Sequence, residues 1–355
     1  MSTFTGRVLL LLALLSVVCL SPLPIASAGA PMRVARTRQA HAELRRQRRL
    51  TDIVERGDRP PMHLFETKAH YEKERASGES VGGAAPMKYW GGPVMVGNPS
   101  VNVYIIYYGN WPSGSGQNVI ENFIRSLSRD SHRQGEPSEP KVKYWWMINE
   151  PYFQKTDGGK RNVSRKVRLS GTVNDNYSAG KQFGENTVWQ VVSSKIGSGK
   201  AFAYDPHGIY LLLTSKDVMV PGYCSDYCGY HTMDYIGSNG VVYSFVGHHG
   251  QCADGCGGQS TSPNGKPAID ATVSTIAHEV AEAATDPDAE YGWFDAAGEE
   301  NADKCSYEVG ATKKGRDNRG NTYEYNLVGM KGMRFLIQQN WDRLKNKCVS
   351  QRRDS

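Results

Sequence analysis

Residues 278 to 305, HEVAEAATDPDAEYGWFDAAGEENADKC, place a histidine and two glutamates at helical spacing before an acid-rich stretch. His278 and Glu282 are four residues apart, so on a helix they share one face and could bind one ion. Glu279 lies about a third of a turn away, where its carboxylate could accept a proton. This pattern is typical of the zinc helix of hydrolytic enzymes, in which a carboxylate base adjoins two ligands.

A catalytic zinc site needs a further ligand from outside the helix. Glu300 and Asp303 are the best-placed candidates, and four weaker ones are Asp286, Asp295, His248 and His249. Calcium is a rival ion, because carboxylate oxygens dominate this set and calcium prefers oxygen ligands. A third reading needs no ion at all, because a histidine and two glutamates can simply form the polar outer face of an amphipathic helix.

The elements that must position these residues predict an α/β fold with a mixed sheet and flanking helices. The helix that carries His278 has an apolar side opposite it, formed by Val273, Ile276, Ala277, Val280 and Ala284. Alternation predicts a strand over residues 101 to 108, and apolar runs predict others within 208 to 218 and 240 to 247. Helical spacing recurs over residues 119 to 127 and 187 to 196.

A further helical segment contains the aromatic residues Trp145, Trp146 and Tyr152. Exposed aromatic rings could form a platform for carbohydrate, whereas buried ones would belong to the core. The sequence favours the core, because large aromatic side chains contribute most when they are buried.

Six cysteines remain after Cys19 of the leader: Cys224, Cys228, Cys252, Cys256, Cys305 and Cys348. An even number in an exported chain predicts disulfides, which staple a Cys- and Gly-rich loop region that surrounds one strand between residues 221 and 268. The two CxxxC pairs could instead hold zinc through four thiolates, although two intervening residues are the commoner spacing. Cys305 with Cys348 is the natural remaining pair.

The N-terminal region predicts an exported protein. Residues 1 to 28 combine Arg7, an apolar run and a small-residue cleavage pattern around Ser27, which is typical of a signal peptide. No later run reaches the roughly 20 apolar residues that span a bilayer, so we expect no membrane anchor. Asn162 and Asn176 begin acceptor triplets for N-glycosylation.

Residues 29 to 86 predict a flexible Arg-rich arm or pro-segment before a globular domain of residues 87 to 350. Nine Arg and four acids within residues 29 to 60 give a charge of +5, and Arg7 completes the total of +6. Residues 61 to 355 therefore carry no net charge, which argues against a nucleic-acid partner for the folded part. The arm is either a solvated tail or a tether to an anionic polymer.

An ordered set of motifs resembles the phosphate-induced protein 1, or EXORDIUM, family over about residues 88 to 348. The set comprises GNPSVNVYIIYYGNW, VPGYCSDYCGYH, VVYSFVG, the paired CxxxC spacing and RFLIQQNWDRLKNKC. Plant members of that family are secreted to the apoplast and cell wall and are associated with growth regulation. The resemblance implies a non-catalytic extracellular protein that binds a protein or a cell-wall polymer.

The chain departs from those plant members by carrying HEVAEAATDP and GWFDAAGEENAD. These segments resemble a motif of microbial relatives that suggests a zincin-like peptidase. The resemblance implies that His278 and Glu282 are metal ligands, that Glu279 is the general base, and that Glu300 or Asp303 completes the site. We therefore expect either a secreted zinc-dependent metallohydrolase or the non-catalytic matrix protein.

Overall fold

The computed structural model describes residues 63–77, 85–128, 140–252, 255–289 and 291–353. The strands are β1 (His63–Glu66), β2 (Lys88–Tyr89), β3 (Val101–Tyr108), β4 (Phe153–Thr156), β5 (Gly159–Asn162), β6 (Val167–Asp175), β7 (Gly208–Thr214), β8 (Tyr227–Ile236), β9 (Asn239–Val246), β10 (Trp293–Phe294), β11 (Lys313–Arg316), β12 (Thr322–Tyr325), β13 (Leu327–Val328), β14 (Arg334–Phe335), β15 (Asn340–Asp342) and β16 (Lys347–Val349). The α-helices are α1 (Lys68–Ser77), α2 (Gln117–Ser126), α3 (Val142–Trp146), α4 (Thr187–Ser194) and α5 (Pro267–Thr285).

Six of these strands form one mixed sheet in the order β1, β8, β9, β7, β3 and β6. β6, β3, β7 and β9 run parallel to one another, and β8 is antiparallel to β9. A two-residue turn that begins with Gly237 joins β8 to β9, and the positive φ of this glycine suits such a hairpin. The mixed α/β sheet that the sequence predicted is confirmed.

Both faces of the sheet are covered, which explains why its central strands are apolar on both sides. Along β3, Val103 and Ile105 face a core that includes α2, α3 and α5, whereas Ile106 and Tyr108 face a second core that includes α4. Every residue of β7, the apolar run GIYLLLT, is buried. The sheet is therefore the middle layer between two cores.

The long helix α5 is buried almost throughout, with 16 of its 19 residues shielded from solvent. Pro267 occupies its first turn, where a missing amide hydrogen costs nothing, and Pro287 follows its end. Its apolar side packs in the same core as α2 and the strands β7 and β9. Its other side faces β8 and the loop after the helix, so the polar face that the sequence predicted does not face solvent.

The six cysteines form three disulfides, Cys224–Cys252, Cys228–Cys256 and Cys305–Cys348. The predicted disulfides are confirmed, and the four-thiolate zinc alternative is wrong because every one of these sulfurs is bonded to another. The expectation of loops around a single strand between residues 221 and 268 is also wrong. Both β8 and β9 cross this region, and the two crossed disulfides tie the start of β8 to the loop after β9.

The aromatic residues near α3 belong to the core. Trp145, Trp146 and Tyr152 are at most 1% exposed, and the indole of Trp145 donates a hydrogen bond to the carbonyl of Gln338 at 2.8 Å. The carbohydrate platform is therefore wrong for these residues. The helix itself ends at Trp146, before Tyr152.

Two elements precede the domain that was expected to begin at residue 87. β1 adds a sixth strand beside β8, and α1 follows it directly. The expected signal peptide, and the part of the arm before residue 63, lie outside the described residues. Within the described ranges no helix is long and apolar enough to cross a bilayer.

Candidate functional site

His278, Glu279 and Glu282 of α5 are buried side chains, each at most 1% exposed. Burial of this kind rules out the reading of an ordinary helix with a solvated outer face, because charged groups are almost never buried unless they are paired or bind an ion. The helical spacing still holds, since His278 Nε2 lies 3.1 Å from Glu282 Oε2 one turn later.

The loop after α5 brings Asp303 to the same place. Its Oδ1 lies 3.3 Å from His278 Nε2, and its backbone amide donates a 2.9 Å hydrogen bond to Glu282 Oε1. A short 3₁₀ turn over Asp303–Cys305 and the Cys305–Cys348 disulfide hold this part of the loop. His278, Glu282 and Asp303 thus form one group whose donor atoms all lie within 4.8 Å of one another.

Glu300, the other predicted ligand in the loop, belongs to a second group with Glu282 and His231. Glu300 Oε2 lies 3.6 Å from His231 Nε2, and Glu282 Oε2 lies 3.6 Å from His231 Nδ1. The two groups share Glu282. They bring all four predicted ligands into one cluster, in which Glu300 contacts His231 and Asp303 contacts His278.

His231 is the residue that the sequence analysis missed. It lies on β8, is completely buried, and its Nδ1 is 3.5 Å from Glu279 Oε2. Its Nε2 is 3.0 Å from the backbone carbonyl of Asp286, so a proton on Nε2 leaves Nδ1 to face the carboxylates. The available signal was a histidine at the end of the run YCGYH, in the first half of β8.

The four weaker candidates have other roles in the structure. Asp295 forms an ion pair with Lys304 at 2.5 Å, and Lys304 is only 1% exposed. Asp286 Oδ1 accepts a hydrogen bond from the amide of Gly292. His249 contacts Thr275 Oγ1 at 3.1 Å through Nε2, and His248 Nδ1 accepts the amide of Gly250. None of these four belongs to either three-residue group among the described residues.

Burial and the clustered charges shift the pKa values of several groups. Burial lowers the pKa of His278, but the carboxylates of Glu282 and Asp303 outweigh it and hold that pKa well above its usual value. Burial, followed by the charges of Asp303 and Asp295, raises the pKa of Glu299 to about 8. The cluster therefore has an excess of negative charge that a cation would relieve.

His249 lies outside both three-residue groups. Burial lowers the pKa of its imidazole to about 3.

Phe65 of β1 covers the imidazole of His278. The two ring centroids are 4.0 Å apart, and Phe65 also stacks on Tyr307 at 5.2 Å. Asp303 keeps the most access to solvent in the group, with 19% of its side chain exposed. The cluster is thus an enclosed set of imidazole and carboxylate groups, which is suited to binding a divalent cation and to proton transfer by Glu279.

Comparison with known proteins adds the family context. Residues 87–351 match the phosphate-induced protein 1 conserved region. Protein EXORDIUM-like 5 of Arabidopsis thaliana is 31% identical over 290 residues, which cover 74% of this chain and 77% of that protein. Protein EXORDIUM-like 3 of the same plant is 32% identical over 291 residues, covering 74% and 82%. Protein PHOSPHATE-INDUCED 1 of Nicotiana tabacum is 27% identical over 293 residues, covering 74% and 87%. No solved structure matches this chain.

Proposed function

The chain belongs to the phosphate-induced protein 1 family, and from that premise we propose that it is a secreted member with a zinc site that hydrolyses amide or ester bonds. His278, Glu282 and Asp303 hold the ion in this proposal, and Glu279 is the general base. The helix α5 then serves as the active helix of a zincin-like site.

The observation that carries the proposal is the spacing of the donor atoms. Tetrahedral zinc with bonds of 2.0 to 2.1 Å sets its ligand atoms about 3.3 Å apart. His278 Nε2 lies 3.1 Å from Glu282 Oε2 and 3.3 Å from Asp303 Oδ1. Both separations from His278 Nε2 therefore match a tetrahedral zinc site, and the carboxylate oxygens of Glu282 and Asp303 lie within 4.8 Å of each other.

The charge of the surroundings supports a cation in the same place. Glu279, Glu282 and Glu300 are at most 1% exposed, and Lys304, the buried lysine nearby, is already paired with Asp295. Several carboxylates at this depth cannot all be ionised without compensation, because the desolvation of each costs several kcal/mol. A divalent cation compensates them directly.

Each residue then has a definite role. Bound zinc supplies Lewis acidity toward a carbonyl oxygen and acidifies water. Glu279 takes a proton from the attacking water and later donates it to the leaving group. As an imidazolium, His231 donates from Nε2 to the carbonyl of Asp286 and faces Glu279 Oε2 with its protonated Nδ1, and so orients that carboxylate from β8.

Calcium is the competing occupant, and the same structure gives it some support. Two of the three residues in the group of His278, Glu282 and Asp303 are carboxylates. Glu300 adds a third carboxylate in the neighbouring group. An oxygen-rich site favours calcium and a structural role. The protein would then be a non-catalytic extracellular matrix or cell-wall protein.

The extracellular setting is part of the proposal. Three disulfides are compatible with an oxidising compartment. Asn162 and Asn176 are both exposed, so both acceptor triplets are accessible to glycosylation. We expect an extracellular protein or a cell-wall polymer as the partner.

Elemental analysis of the full chain from a secretory host tests the ion. We expect about one equivalent of zinc per chain, its loss in His278→Ala and in Glu282→Gln, and its retention in Glu279→Gln. Glu279→Gln should abolish hydrolysis of labelled casein or a nitrophenyl ester by the parent chain. Absence of zinc overturns the proposal, and one equivalent of calcium with an unchanged Glu279→Gln variant assigns the ion a structural role.

A further inference from the structure

We infer that β1 occupies the binding position of an extended peptide, and that the edge of β8 binds peptides that carry an aromatic side chain at the place of Phe65. The inference rests on the proposed function in one respect, namely that the site covered by Phe65 binds zinc. The pairing of β1 with β8 does not depend on that proposal.

The backbone evidence is the position of β1 at the end of the sheet. β1 pairs antiparallel with β8, with Leu64 opposite Tyr230 and Phe65 opposite Gly229. Without β1, the amide and carbonyl groups of β8 would form an open sheet edge. Such an edge is the usual template for an added peptide strand, in which main-chain hydrogen bonds supply affinity and side-chain pockets supply specificity.

The side-chain evidence is the reach of Phe65 into the cation site. Its ring is 4% exposed and lies 4.0 Å from the ring of His278. The carbonyl of the next residue, Glu66, accepts a 2.6 Å hydrogen bond from the hydroxyl of Tyr307. A strand in this position therefore places one side chain against His278, the proposed metal ligand. The hydrogen bond from Tyr307 holds the backbone of the strand beside that residue.

A pocket next to Phe65 offers room for a neighbouring group of a peptide. It has a volume of about 180 Å³, and the part of its lining that lies outside β1 and α1 includes Gln259, Asp270, Tyr307 and Val309. Gln259 and Asp270 supply polar groups, whereas Tyr307 and Val309 supply apolar surface. This mixed lining suits a peptide, which carries both polar and apolar groups.

β1 lies in a segment of the chain that can be separated from the family domain by one cut. β1 and α1 both precede the matched family region of residues 87–351. Residues 78 to 84 connect them to that region and lie outside the described residues. The strand that covers the site is thus supplied by a segment in front of the family domain, and in the full chain it competes with an added peptide for the same place.

The test uses the full chain with residues 78 to 84 replaced by the recognition sequence of a site-specific protease, folded first and cut afterwards. The probe is a fluorescent peptide of the sequence PMHLFETK, residues 61 to 68. Fluorescence anisotropy should show binding to the cut chain and at least about tenfold weaker binding to the uncut chain. A peptide with Phe65→Ala should bind the cut chain about tenfold more weakly than the parent peptide.

Two results overturn the inference. One is retention of the cut segment with no exchange against excess peptide, which makes β1 a permanent strand. The other is equal binding of the parent and Phe65→Ala peptides. Zinc analysis of the same samples separates this inference from the proposed function. Peptide binding to a chain without zinc supports the inference and overturns the proposed zinc hydrolase. Zinc bound to a chain that does not bind the peptide supports the zinc site and overturns the inference.

Discussion

Gly229 of β8 and Glu279 of α5 face each other so closely that a Cβ atom on Gly229 would lie 2.8 Å from Glu279 Oε1. The same Cβ would lie 2.8 Å from Thr275 Cγ2, on the same helix. The absence of a side chain on Gly229 is therefore what allows the carboxylate of Glu279 to fit between the helix and the sheet.

Gly229→Ala should displace the Glu279 carboxylate while leaving His278 and Glu282 in place. We expect hydrolysis to fall about 10- to 100-fold, with zinc content unchanged, because a shift of about 1 Å in a catalytic group has that effect. The control is Gly158→Ala in the β4–β5 turn, where the nearest atom to a new Cβ is 3.9 Å away. Equal activity of the two variants would contradict the role of Gly229.

His231→Gln should lower activity without removing the zinc. The amide of glutamine can still bond to the carbonyl of Asp286 but offers no imidazole nitrogen to Glu279. A loss of about 10- to 100-fold in the rate of hydrolysis is expected, as for other residues that orient a metal-site group. His207→Gln, in the loop before β7, serves as the control. If His231→Gln loses its zinc instead, His231 is a ligand and the second group is the true cation site.

The Asp295–Lys304 pair should contribute strongly to stability, because both side chains are buried. Lys304→Met should lower the free energy of unfolding by about 3 to 5 kcal/mol, since it leaves an uncompensated charge on Asp295. Adding Asp295→Asn should restore much of that loss. Urea unfolding measures both, and Arg125→Met in the exposed pair with Glu121 should cost at most about 1 kcal/mol. Additive losses in the double variant would contradict this coupling.

His249 should make the folded state sensitive to acid. Its pKa is about 3 in the folded protein and about 6.5 when unfolded, so the unfolded chain alone binds a proton between these values. The free energy of unfolding therefore declines as pH falls from about 6.5 towards 3, by up to about 1.4 kcal/mol per pH unit. His249→Gln, which keeps a partner for Thr275, should flatten this slope between pH 6 and 4 in urea titrations. Parallel curves for the two proteins would rule out the effect.

Local patterns in the sequence were sufficient for three of the six strands of the sheet, β3, β7 and β9, and for the placing of His278 and Glu282 on one face of α5. The i, i+4 spacing of His278 and Glu282 is a property of the helix, so it survives in the structure. The alternation in β3 and the apolar run of β7 were equally direct. Each of these predictions depends on residues that are neighbours along one element.

The missed features all depend on partners far apart in the chain. His231 and Glu282 are about fifty residues apart and meet only because β8 packs against α5. β1 has four residues, too few for a local strand signal, and its conformation follows from pairing with β8.

The burial of α5 on both of its sides has a consequence for how this site can change in evolution. A descendant that lost His278 alone would remove one positively charged partner from Glu282 and Asp303 within the protein, and would be less stable. The imidazole and its acidic neighbours should therefore appear or disappear together across homologous chains, as a block of coordinated substitutions that includes β8 and the loop as well as the helix.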